Sequence, residues 1–91
     1  MLDRALDLHP QVALRPEPFG ALAYHAGNRK LTFLKHPDMV AVVRSLAEHA
    51  TVRDALVACG VAEARWPSFV SALAHLETSE LLCERQPAHA R

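Results

Sequence analysis

No stretch of this 91-residue chain stays apolar for long. A bilayer span needs roughly 20 consecutive apolar residues, and charged or polar side chains interrupt every run here, although 51% of the residues are hydrophobic. A membrane-spanning chain is excluded and a soluble globular one is expected. An excess of charge of one sign is also missing, because ten Lys and Arg balance ten Asp and Glu. A generic nucleic-acid binder draws its affinity from cations set against phosphates, so nucleic acid is not an expected partner. The opening MLDRALDLHP has acidic residues and no apolar segment followed by a small-residue cleavage site, so it does not read as a secretory signal. The cytoplasm is the expected compartment. Cysteine is scarce there too. Cys59 and Cys83 are far apart, and two lone thiols in that compartment read as small buried hydrophobes rather than as a disulfide.

The motifs that carry chemistry are absent as well. Six histidines, His9, His25, His36, His49, His75 and His89, include no HxxxH spacing, and the cysteines form no CxxC, so no short stretch supplies the ligands of a zinc site. There is no GxSxG, phosphate-binding loop or dinucleotide fingerprint, and the carboxylates are scattered. The chain is expected to be no enzyme, to have no catalytic residues and to need no metal or cofactor. Its length suits one domain with a modest stability margin, with an ordered core over about residues 8–83 and a polar tail over about 84–91.

What is present changes character at Pro37. Before it, Pro10, Pro16, Pro18, Gly20 and Gly27 punctuate apolar runs short enough for strands. Val12, Ala13 and Leu14 predict a first strand closed by the RPEP segment. Gly20 to Ala26 and Arg29 to Lys35 predict a hairpin around a two-residue loop, Gly27-Asn28. In that register Tyr24 faces Leu31 and Leu22 faces Phe33, while Ala23 and Ala21 face Thr32 and Leu34. One face then carries Leu22, Tyr24, Leu31 and Phe33; it is either the core or part of a groove. Leu34, on the opposite face, is a candidate exposed anchor.

After Pro37 the apolar residues recur at helical spacing. Pro37 and Asp38 suit the first turn of a helix carrying Met39, Val42, Val43 and Leu46. Thr51 is a good N-cap for a second helix ending at Gly60. A third carries Trp66, Phe69, Val70, Leu73 and Leu76, with Pro67 in its first turn. Thr78-Ser79 interrupt the pattern, and Leu81-Leu82 suggest a short extended piece. The fold class is α+β: a three-stranded antiparallel sheet followed by a three-helix bundle of winged helix-turn-helix kind.

In such a fold the third helix conventionally enters the major groove. Here it reads WPSFVSALAHLE, without Lys or Arg between Trp66 and Glu77, and lacks the side chains that read guanine or grip phosphate. Trp66, Phe69, Val70 and Leu73 are alternatively plain core. The hairpin's last strand, Arg29 to Lys35, has no later convincing strand to pair with, so its free backbone groups can accept an added peptide strand. Lys30 and Lys35 are either guards against edge-to-edge aggregation or, with Arg29 and Arg65, attractors of an acidic peptide. A winged-helix DNA-binding regulator and a module that homodimerises through the open strand remain the alternatives.

The segments LHPQVALRPEPFGALAYH and GNRKLTFLKHPDMVAVVRSLAEH resemble the precursor-peptide chaperones of mycofactocin biosynthesis, a family of PqqD-like recognition elements for ribosomally made, post-translationally modified peptides. The resemblance runs from about Leu8 to Leu82. It implies a non-catalytic chaperone that binds the leader of a precursor peptide as a further strand, in a groove walled by the third helix, and presents it to a radical S-adenosylmethionine maturase. It also implies that the leader is acidic. Carried onto this chain, the peptide-binding strand is Arg29, Lys30, Leu31, Thr32, Phe33, Leu34 and Lys35, and the helix contributes Arg65, Trp66, Phe69, Val70 and Leu73. Strand addition is expected on the backbone groups of Lys30, Thr32 and Leu34, with Phe69, Val70 and Leu73 receiving apolar leader side chains.

Overall fold

Every apolar run before Pro37 becomes a strand and every helical stripe after it becomes a helix. The computed structural model describes residues 1–85; the expected polar tail lies, from residue 86 on, outside the described residues. Strands β1 (Leu6–Leu8), β2 (Val12–Glu17), β3 (Gly20–His25) and β4 (Leu31–Leu34) precede helices α1 (Pro37–Ser45), α2 (Val52–Ala58) and α3 (Trp66–Thr78), and β5 (Leu82–Glu84) follows. The three-stranded antiparallel sheet has the order β2-β3-β4. A second sheet, not anticipated, pairs β1 with β5, Leu8 opposite Leu82 and Leu6 opposite Glu84. Three residues of LDL carry too little alternation to mark β1 as a strand; only its distant partner makes it one.

The helix boundaries follow local chemistry. Pro37 opens α1, where its missing N–H costs nothing, and Asp38 sits in that first turn. The Thr51 hydroxyl caps α2 by accepting the Asp54 N–H at 3.2 Å. Gly60, at φ +73°, ends that helix with Val61 N–H bonded to the Leu56 carbonyl at 3.0 Å, a left-handed C-terminal cap. The C-terminus of α3 uses the same device with a non-glycine, Glu80 at φ +68°, and Leu81 N–H reaches the Leu76 carbonyl. Pro67 occupies the first turn of α3 without breaking it.

The core lies between the sheet and the helices: Val42, Val43, Leu46, Leu56, Leu73 and Leu82 are sealed from solvent. The sheet turns its small-residue face inward. Ala21, Ala23 and Leu34 are buried, while Tyr24, Leu31 and Phe33 are exposed. The predicted pairing register is therefore right, Leu22 opposite Phe33 and Tyr24 opposite Leu31, but the large apolar face is solvent-facing and Leu34 is a core residue, not an exposed anchor. The physical reason is close packing: α1 lies against β3 and β4, where two alanines leave room for a helix that larger side chains would hold off.

Two boundaries differ from expectation. Strand β2 runs on through Pro16. Gln11 accepts from Ala26 N–H, and alternation from that pair leaves Pro16, opposite Ala21, in a pair that needs no N–H, so proline is tolerated on this outer strand. The β3–β4 loop is longer than Gly27-Asn28. His25 N–H donates to the Lys30 carbonyl at 3.0 Å and Arg29 N–H to the His25 carbonyl at 2.7 Å, enclosing Ala26 to Arg29 with Arg29 at φ +63°. Side chains hold this wider turn. His25 Nδ1 accepts the N–H groups of Gly27 and Asn28 at 3.0 and 3.2 Å, and Asn28 Oδ1 accepts that of Lys30 at 2.9 Å.

Candidate functional site: an open strand edge beside the third helix

Among the described residues β4 pairs only with β3, so one side of its backbone is unbonded. Which groups it offers follows from the turn. Opposed residues of an antiparallel pair alternate between those that exchange hydrogen bonds and those that do not. Because His25 bonds Lys30, the pairs Ala23–Thr32 and Ala21–Leu34 are also of the bonded kind. Lys30, Thr32 and Leu34 thus turn their backbone groups inward to β3, and Leu31, Phe33 and Lys35 turn theirs outward. A Cβ on Gly20 would collide with the Leu34 carbonyl oxygen, which confirms that this carbonyl points toward β3. The expectation that Lys30, Thr32 and Leu34 carry strand addition is thereby reversed. A two-residue loop would have closed on a bonded Ala26–Arg29 pair; the wider loop closes on His25–Lys30 and shifts the bonding phase by one residue at unchanged register.

Beside that edge runs a groove of about 830 Å³ between β4, the start of α1 and α3. Its floor is apolar: Leu34, Phe69 and Leu76 are each less than a tenth exposed, and Met39 and Ala72 add to it. Ser68, Ser71 and His75 line the helix side, and Lys35 and His36 the strand end. No Asp or Glu is among the lining residues. Arg65 closes one end, with Cζ 5.1 Å from the centre of the Phe69 ring and Nη1 3.0 Å from Asp38 Oδ2. The arrangement suits an extended segment with apolar side chains and some negative charge.

Of the residues expected here, Thr32, Phe33, Leu34, Lys35, Arg65 and Phe69 line the groove. Arg29, Lys30 and Leu31 lie toward the turn, outside the lining. Leu73 is wholly buried in the core and offers nothing to a ligand. Trp66 and Val70 border a different hollow with Leu2, Arg53 and Glu63, and Trp66 Nε1 donates to the Val61 carbonyl at 3.0 Å. The cause is helical spacing: Phe69, Ala72 and Leu76 share one stripe of α3, whereas Trp66 and Val70 share another. Ser68, Ala72 and His75 were overlooked because they are not large and apolar, although their spacing of four and three marks one face.

Among the described residues no group of three or more His, Cys, Asp or Glu could hold a metal. Burial, then the nearby Asp7 and Glu77 carboxylates, push the Cys83 thiol up, which disfavours the thiolate. Among the described residues no helix is long and apolar enough to cross a membrane.

Fold and groove define a small α+β domain with one sheet edge open beside an apolar cleft. The chain belongs to the peptide chaperone MftB family, whose family model matches residues 5–83. It is 51% identical over 84 residues to a peptide chaperone MftB of Mycobacterium ulcerans (strain Agy99), covering 92% of this chain and 77% of that one. It is 49% identical, with the same coverage, to the protein of that name in Mycobacterium tuberculosis (strain ATCC 25618 / H37Rv). To the one in Mycolicibacterium smegmatis (strain ATCC 700084 / mc(2)155) it is 52% identical over 80 residues, 88% of this chain and 78% of that one. No solved structure matches.

Proposed function

We propose that this chain acts as one peptide-recognition domain that captures the leader of a ribosomally made precursor peptide as an added strand on β4 and presents it to a radical S-adenosylmethionine maturase in mycofactocin biosynthesis. The observation that carries the reading is the unpaired β4 edge beside a groove with an apolar floor and no acidic lining. Outward N–H and C=O groups of Leu31, Phe33 and Lys35 supply the ladder, and Phe69, Ala72 and Leu76 receive alternate side chains. Lys35 and Arg65 favour an acidic segment. The chain contributes binding and presentation; the chemistry belongs to the maturase, so no cofactor is needed here. The lack of Lys or Arg between Trp66 and Glu77 on α3 favours a peptide over DNA as the partner. A second copy pairing through β4 would compete with the peptide for the same edge.

Titration of the isotopically labelled chain with a synthetic leader of the precursor, followed by backbone amide shifts, tests the reading. Perturbations concentrated on residues 31–35 and on the 68–76 face of α3 are expected. Saturable binding that leaves both unperturbed would overturn it.

A further inference from the structure

The solvent side of the three-stranded sheet carries an apolar patch that meets the groove at Phe33. Leu31 and Phe33 are 58% and 59% exposed, each opposite another apolar residue, Tyr24 and Leu22. Phe19 meets Phe33 edge to face, ring centres 5.7 Å apart, and so holds that ring over the outer side of β4. Both exposed residues sit on the edge strand, and Phe33 also lines the groove. Groove and patch are therefore one continuous apolar surface folded around the β4 backbone.

Side chains of an added strand alternate between the two faces of the sheet. Those on the side of Thr32 and Leu34 enter the groove. Those on the side of Leu31 and Phe33 come within roughly 4.5–5.5 Å of them as cross-strand neighbours. From this continuity we infer that a bound peptide is read on both faces, Leu31 and Phe33 selecting apolar side chains that point away from the groove. The inference rests on the strand-addition reading and names its substrate class. The recognised segment is a short run apolar at consecutive positions, flanked by negative charge toward Lys35 and Arg65. It is not the alternating apolar and polar pattern of a half-buried strand.

The test uses a synthetic leader of the precursor and the same peptide carrying serine at each position in turn. Titrations are made against the wild type, Leu31→Ser, Phe33→Ser, Tyr24→Ser and Ala72→Lys, with circular dichroism and thermal midpoints to verify folding. Leu31→Ser and Phe33→Ser are each expected to weaken binding about three- to tenfold. Tyr24→Ser, one strand further from the peptide, stays near the wild type, and the serine scan loses affinity at adjacent positions. Wild-type affinity in both outer-face variants, losses at alternate peptide positions only and a weak Ala72→Lys would overturn the two-faced reading and leave strand addition standing. Wild-type affinity in the folded Ala72→Lys variant as well would overturn strand addition and this inference with it.

Discussion

The N–H of His25 donates to the carbonyl of Lys30 at 3.0 Å, and this one bond decides which backbone groups of β4 face the open edge. The histidine secures the turn twice, since its Nδ1 also accepts from Gly27 and Asn28. A nitrogen that accepts carries no hydrogen of its own, so the ring hydrogen of His25 belongs on Nε2. That Nε2 is buried and without a partner among the described residues, against the tilted ring of His9 at 4.5 Å.

Replacing His25 by Leu leaves two N–H groups of the turn without their acceptor. The expected loss is about 1–2 kcal/mol, offset in part because the orphaned Nε2 also goes. Chemical denaturation measures the loss, and hydrogen exchange at Gly27 and Asn28 should accelerate more than exchange in α1.

Asp38 spends part of the positive potential of Arg65 at the mouth of the groove, 3.0 Å away. Asp38→Asn should therefore tighten binding of an acidic leader by about two- to fivefold at low salt. It should also cost α1 about 0.5 kcal/mol of favourable first-turn charge. Isothermal titration at two salt concentrations reads the first effect and thermal unfolding the second.

Lys35 lines the groove and Lys30 does not. Lys35→Glu should slow association with an acidic leader and flatten its salt dependence, with an effect of about 1 kcal/mol. Lys30→Glu should change it less. Stopped-flow association rates as a function of ionic strength distinguish the two.

Arg4 clasps Glu77 through two bonds of 2.8 and 2.6 Å, tying the segment before β1 to the end of α3. Those bonds hold the Glu77 carboxyl below its ordinary range, against an opposing effect of burial. A carboxyl lowered in the folded state stabilises above its unfolded pKa, and the contribution disappears as pH falls through the folded value. Glu77→Gln should lose about 0.5–1 kcal/mol near pH 7, discounted because Arg4 is about a third exposed. Wild type and variant should converge in stability at acidic pH, where the wild-type carboxyl is protonated.

The parts of this fold legible in the sequence are those fixed by local chemistry. Pro37, Thr51 and Gly60 mark helix ends through φ restriction, a side-chain acceptor and a left-handed cap, and each does so in the structure. The hairpin register was legible because alternation and a turn signal agree. What was not legible depends on partners distant in sequence. Strand β1 exists because β5 lies beside it, and Ala21 and Ala23 face inward because a helix needs the space. The bonding phase of β4 turned on a histidine side chain that widens the loop, a contact with no periodic signature. The groove between the strand edge and α3 was legible as a place in the fold, but the α3 stripe that lines it was misread by favouring large apolar residues over spacing.

The central claim is that peptide capture uses the outward backbone of β4, and proline substitution addresses it directly. Phe33→Pro removes an outward N–H while sparing the ladder to β3, and Phe33→Ala controls for the lost side chain. Thr32→Pro removes a ladder N–H instead and should reduce stability. Leader affinity at least about tenfold weaker for Phe33→Pro than for Phe33→Ala, with both folded, is the predicted result, in line with loss of a ladder bond and steric blockage of the edge. Equal affinity in the two folded variants would contradict strand addition on β4.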